Sequence, residues 1–124
     1  MATIEVTETN FNDIADKGIV LLDFWAEWCG PCKMFGPIFE KASEQHQDIT
    51  FGKIDTDQEQ ALAQGFEIRS IPTLMAIRDG IVVFSQPGAI PAPALDDLIR
   101  QVRALDMEEI RLELDKELKN AQQN

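Results

Sequence analysis

The run Trp25-Ala26-Glu27-Trp28-Cys29-Gly30-Pro31-Cys32-Lys33 holds both cysteines of the chain. A thiol pair at this spacing can close into a disulfide and reopen, carrying two electrons each way. An apolar run precedes the pair and a helical pattern follows it, so Cys29 falls at a helix N-terminus. Unpaired backbone N–H groups and the helix dipole favour an anion there. Pro31 suits the first helical turn, where no intrahelical donor is needed. The expectation is an exposed, low-pKa thiol at Cys29 and a buried resolving thiol at Cys32, a turn further in.

Magnitudes suggest a direction. Lowering a thiol pKa from ~8.5 to ~7 raises the thiolate fraction at pH 7 about sixteen-fold, while nucleophilicity falls only about four- to six-fold. A drop to ~3.5 costs more than about a hundred-fold in nucleophilicity and makes a good leaving group, hence an oxidant. Gly30 and Pro31 carry no charge, and Pro31 has no N–H to stabilise a thiolate. The pair is therefore expected to be a reductant. A zinc site needs about four ligands, and the one histidine, His46, falls at a predicted helix end. No bound metal is expected, and a purely structural pair would not need Trp28, Gly30 and Pro31 around it.

The elements that must position the cysteines follow from periodicity. Residues 3–6 alternate as a short strand, and Thr9 or Asn10 can cap a brief helix carrying Phe11, Ile14 and Ala15, ended by Lys17-Gly18. Residues 19–25 form a near-continuous apolar run, the mark of a strand buried on both faces. From Pro31 a helical face carries Phe35, Ile38, Phe39 and Ala42 to His46, with a kink expected at Pro37. A strand at 50–55 and a short helix at 58–64 come next. Strands at 73–78 and 81–86 are joined by Asp79-Gly80, a hairpin signal. Leu95, Leu98, Ile99, Val102 and Leu105 line a further helix. This order predicts an α/β fold: a central mixed β-sheet with helices on both faces.

Composition narrows the class of partner. The chain has 124 residues, sized for one domain, with 44% hydrophobic and 27% charged residues. Its net charge of −11 argues against nucleic acid or an anionic membrane, which need a basic footprint. No segment approaches the ~20 apolar residues of a membrane span, and the N-terminus lacks the pattern of a signal peptide. A cytoplasmic location is expected.

Residues 24–33 resemble the active site of the thioredoxin family. The resemblance spans about residues 3–105 and includes Asp23 before Phe24, Lys53 in the next strand, Ile71-Pro72-Thr73, and Gly88-Ala89 after the last strand. It implies the thioredoxin fold and a protein disulfide reductase that cycles between a dithiol and a Cys29–Cys32 disulfide. By the same resemblance Pro72 is a cis proline, and the Ile71 backbone pairs with an extended client segment. Trp28, Gly30, Pro31, Ile71, Pro72, Gly88 and Ala89 form the apolar docking patch. Asp23 accepts the proton of the resolving thiol, and Lys53 modulates it. No cofactor is bound; NADPH supplies electrons indirectly, through a thioredoxin reductase, and the other partners are disulfide-containing client proteins. Two alternatives stay open: a binding or chaperone-like module on this fold, and an exported thiol oxidant or isomerase.

The chain departs from the family pattern at Ser70, where Gly is frequent, at Pro87, and at Pro91 and Pro93, where a Ser or Thr cap is common. These positions bear on which partners dock. The thioredoxin domain is expected over 1–105, with 106–124 a helical extension of the same domain. Asp106 with Glu109 reads as a capping box and Leu105 with Ile110 as a hydrophobic staple, for a helix from about 107 to 119. Met107, Ile110, Leu114 and Leu118 make one stripe, with ion pairs expected at Arg111/Asp115 and Asp115/Lys119. The stripe is expected to pack on its own domain in a monomer. A dimer contact through 106–124 is the alternative.

Overall fold

Strands and helices follow one another as β1 (Thr3–Glu5), α1 (Phe11–Ala15), β2 (Ile19–Trp25), α2 (Gly30–Gln45), β3 (Thr50–Asp55), α3 (Gln60–Gly65), β4 (Thr73–Arg78), β5 (Ile81–Pro87), α4 (Ala92–Ala104) and α5 (Met107–Gln122). The source is a computed structural model that describes residues 2–122. The sheet order is β1-β3-β2-β4-β5. Strands β1 and β2 run parallel to β3, whereas β4 is antiparallel to both β2 and β5. This is the mixed sheet that the alternation of elements predicts.

β2 lies at the centre, and each residue from Val20 to Phe24 is fully buried. Successive side chains point to opposite faces, so the strand feeds two cores. Leu21 joins Phe35 and Phe39 of α2 and Leu95 and Ile99 of α4. Val20, Leu22 and Phe24 join Ile14 of α1, with Leu62 of α3 packed against them. Asp23 shares the parity of Leu21 and so lies on the α2 side of the sheet. Gly52 in β3 permits close packing between these layers, because a Cβ there would collide with Val6 and crowd Leu22.

The β4–β5 turn has positive φ at both central residues, 54° at Asp79 and 79° at Gly80. That is the type I′ geometry whose twist matches the flanking strands. Helix α2 continues through Pro37, which costs the ladder the bond to Lys33's carbonyl.

Two local expectations are corrected. Asn10 holds the N-cap position of α1 but makes no side-chain cap. Its amide instead accepts from the Thr7 N–H (2.7 Å) and donates to the Glu5 carbonyl (3.0 Å), bracing the turn out of β1. Neither i,i+4 ion pair forms in α5: Arg111 reaches Asp79 on the hairpin turn at 3.7 Å, and Lys116 pairs with Glu113. An exposed helical pair contributes only a few tenths of a kcal/mol, so a carboxylate on a neighbouring element readily replaces it.

The extension begins with half of the expected capping box: the Glu109 N–H donates to Asp106 Oδ1 at 3.1 Å, and among the described residues the Glu109 side chain makes no return bond to the Asp106 N–H. Met107 is buried, Ile110 and Leu114 are half-buried, and Leu118 is 61% exposed. One guanidinium nitrogen of Arg78 accompanies this arrangement, donating to the carbonyls of Val102, Arg103 and Leu105 at 2.8, 3.2 and 3.0 Å. It gathers the carbonyl end of α4 where the chain turns into α5. Removing 106–124 is therefore expected to lower Tm by about 5–10 °C, given about 2 kcal/mol for a buried Met side chain, with no change in oligomeric state. Unchanged melting with a change from dimer to monomer by light scattering would place the helix in an association interface instead.

Candidate redox site

The site is assembled where β2 ends and α2 begins. Cys29 occupies the N-cap of α2 in extended backbone geometry, and Pro31 falls in the first turn. Cys29 and Cys32 are joined by a disulfide, with Cα atoms 5.3 Å apart. The Cys32 N–H donates to Cys29 Sγ at 3.2 Å, so one of the orphan donors of the helix start points at this sulfur. The same donor is placed to stabilise a thiolate once the bond opens.

The expected contrast in burial between the two sulfurs is not found. Both cysteines are 4% exposed. Cys29 is covered from the side of the 70–72 loop, with its Sγ 3.6 Å from the Ile71 carbonyl oxygen. Cys29 and Cys32 pack with Ala26 in a small cluster of their own, against Trp25 and Ile71.

The loop that covers them is held from both sides. The Ile71–Pro72 bond is cis. Thr73 Oγ1 donates to the Ser70 carbonyl at 2.6 Å, and the Gly88 N–H donates to the Pro72 carbonyl at 2.7 Å. Gly88 adopts a φ of 104°, which favours glycine. Through this bond Gly88 and Ala89, after β5, lie beside Pro72. Pro87 lacks an N–H, but the donor that matters to this loop belongs to Gly88.

Trp28 is 71% exposed, which excludes a core role. Its Nε1–H donates to Asp57 Oδ2 at 3.0 Å, holding the indole over the turn after β3. The sequence reading missed Asp57. Its place follows from the folded sheet: the parallel register Trp25↔Asp55 puts the turn that follows Asp55 beside the segment that follows Trp25. An open cleft of about 320 Å³ separates Trp28 from Ser70 and Ile71, floored by Ala63 and Ile68 and edged by Arg69. Arg69 was also missed.

Asp23 is fully buried on the strand that leads to the cysteines, and neither carboxylate oxygen has a hydrogen-bond partner among the described residues. Loss of hydration pushes its pKa up to about 7, while the charge on Lys53 pulls the other way. Lys53 is its register partner on β3. The Lys53 ammonium lies 4.9 Å from the Trp25 ring centroid, and no ion pair to Asp23 within 4 Å is formed among the described residues. A surface cleft of about 450 Å³ reaches Cys32 on this side and is lined also by Trp25, Lys53 and Gly36. The structure thus brings Cys29, Cys32, Trp28, Ile71, Pro72, Gly88 and Ala89 to one end of the sheet, and sets Asp23 and Lys53 behind them.

Among the described residues, no three or more His, Cys, Asp or Glu side chains cluster as a metal site would require. Among the described residues, no helix is long and apolar enough to cross a membrane.

Known proteins agree with this geometry. The thioredoxin family model matches residues 2–101. The chain is 56% identical over 111 residues to a Streptomyces coelicolor protein provisionally named as a second thioredoxin, covering 89% of this chain and 83% of that one. It is 40% identical over 102 residues to Bacillus subtilis thioredoxin, covering 82% and 98%. The fold superposes on a thioredoxin variant from Halobacterium salinarum with a TM-score of 0.78 and 39% identity, over 84% of this chain and 93% of that one. With a Cys-X-X-Cys disulfide at a helix N-terminus on this sheet, the chain belongs to the thioredoxin family of thiol–disulfide oxidoreductases.

Proposed function

We propose that the chain works as a general protein disulfide reductase, and that its residues divide the labour as follows. The Cys29 thiolate attacks one sulfur of a client disulfide, forming a mixed disulfide and releasing the other client sulfur as a thiolate, which takes up a proton. Cys32 then gives its proton to the Asp23 carboxylate and attacks Cys29 Sγ. The S–S bond to the client breaks, the second client sulfur leaves as a thiolate that takes up a proton to complete the client dithiol, and the Cys29–Cys32 disulfide closes. Two electrons have passed from the chain to the client.

Asp23 suits the proton step because its pKa of about 7 lets it exchange a proton near neutral pH. Lys53 holds that value down by its charge. Trp28, Gly30, Pro31, Ile71, Pro72, Gly88 and Ala89 form the docking surface, with an extended client pairing along the Ile71 backbone as an added strand. A thioredoxin reductase drawing on NADPH restores the dithiol, and the setting is cytoplasmic. Residues 1–105 are the working domain, a monomer carrying 106–124 as an extension.

The observation that carries this reading is the closed Cys29–Cys32 pair, held against the Ile71 carbonyl with one backbone donor aimed at Cys29. The test is insulin reduction with NADPH and a bacterial thioredoxin reductase. The wild type is expected to turn over, and Cys29→Ser to be inactive. A dithiol potential above about −200 mV, in the range of catalytic oxidants, would overturn the reductant assignment. Absence of turnover despite a reducing potential would favour a binding module.

A further inference from the structure

Four of the five arginines of this acidic chain are engaged within it. Arg78 binds the carbonyl end of α4, Arg100 pairs with Asp97, Arg103 with Asp48, and Arg111 with Asp79. The fifth, Arg69, is exposed and makes no side-chain hydrogen bond or ion pair among the described residues. Its position is not arbitrary. It edges the cleft between Trp28 and Ile71, and a second, smaller recess of about 150 Å³ bounded by Phe66, Thr73 and Pro87. Glu67, which also lines that recess, does not pair with it.

The disulfide chemistry fixes what passes Arg69. Cys29 Sγ lies 3.6 Å from the Ile71 carbonyl, so a client sulfur joined to Cys29 must sit beside Ile71. A client running along residues 69–71 advances about 3.3 Å per residue. The segment bends at Ser70 and Ile71, so Arg69 lies no more than about 7 Å along it from Ile71, and a client residue two positions from the reactive cysteine, on the same face, comes within reach of the long Arg69 side chain. An unpaired guanidinium at the rim of an otherwise acidic molecule is suited to a carboxylate.

We infer that Arg69 discriminates among client disulfides by charge, favouring those with a carboxylate two residues from the cysteine that Cys29 attacks. The inference rests on the reductase reading above. It is positional: the net charge of −11 repels acidic clients at long range, while Arg69 favours one acidic position at contact.

The experiment is single-turnover reduction of disulfide-linked peptide dimers by the reduced protein, followed by tryptophan fluorescence. The peptides carry Glu or Lys two positions before or after the cysteine. The readout is the Glu/Lys rate ratio in the wild type divided by that in Arg69→Gln, which cancels the effect of the neighbouring charge on the peptide cysteine itself. At low salt this double ratio is expected to be about three to five for one of the two positions, as for a solvent-exposed charge pair. It should fall towards one in about 1 M salt, and Arg69→Glu should drive the ratio below that of Arg69→Gln. Arg100→Gln, which removes a distant positive charge, should leave the wild-type ratio in place. A double ratio of one at both positions, or an equal change in Arg100→Gln, overturns the inference while leaving the reductase reading intact. Failure to reduce any of the peptides would overturn the reductase reading instead.

Discussion

Cys32→Ser is expected to convert the chain from a catalyst into a trap. Cys29 remains at the helix start with a backbone N–H aimed at its sulfur, so attack on a client disulfide proceeds. The second step does not, because the only thiol placed to displace the client has gone. In the wild type that thiol is held on the same helix, with its Cα 5.3 Å from that of Cys29. Such placement gives effective concentrations of about 10⁵ M or more in favourable intramolecular reactions, against millimolar concentrations of any thiol in solution. Multiple-turnover reduction should therefore fall by at least about a thousandfold, while a covalent complex accumulates that dithiothreitol dissolves. Non-reducing gel mobility and intact mass would read this directly. Near-normal turnover by Cys32→Ser with no covalent complex would eliminate the two-step exchange.

The second large effect concerns Asp23, and it appears in stability as well as rate. Burial raises its pKa to about 7 in the folded chain, against 3.8 for an ordinary aspartate. Between those values the folded state holds a proton that the unfolded state has released. Stability contributed by the neutral carboxyl is thus complete below pH 3.8 and is lost as pH rises through 7. The slope is about 1.4 kcal/mol per pH unit, or about 3 kcal/mol lost between pH 5 and pH 8. Asp23→Asn cannot ionise and should escape that loss. Urea unfolding of the oxidised proteins should show the variant gaining on the wild type by about this amount over the range. On the proposed mechanism, in which Asp23 takes the Cys32 proton, the same variant should also release mixed disulfides more slowly. Stability curves that stay parallel from pH 5 to pH 8 would refute the buried, neutral carboxyl. Reduction kinetics identical to wild type across pH 6–9 would remove its kinetic role.

Much of this was legible from the chain because each element carried its own signal. The unbroken apolar run of β2 announced a strand buried on both faces, and the helical spacing of Phe35, Phe39 and Ala42 announced what covers it. Asp79-Gly80 named its own turn. The site was legible where local rules set it, as with Cys29 and Pro31 at the helix start. The misses share a physical origin in side chains that choose between partners of similar strength. Asn10 could cap forward or brace backward, and Arg111 could pair within its helix or across to Asp79. The burial of Cys29 depends on a loop some forty residues away in the chain, and the binding of Trp28 to Asp57 on a turn beyond another strand. Periodicity speaks about an element's own face, and these contacts lie between elements.

The attachment of α5 has a practical consequence for building with this molecule. Arg78 and Asp79, which hold the start of that helix, sit at the end of β4 paired with Ile19, whereas the cysteines follow the end where Phe24 pairs with Thr73. Five strand residues, about 17 Å, separate the two poles. A surface, a fluorophore or a second module joined through the C-terminal helix would be held by the far pole. The first turns of the helix, anchored at that pole, would then serve as a handle at the opposite end of the sheet from the Cys29–Cys32 disulfide.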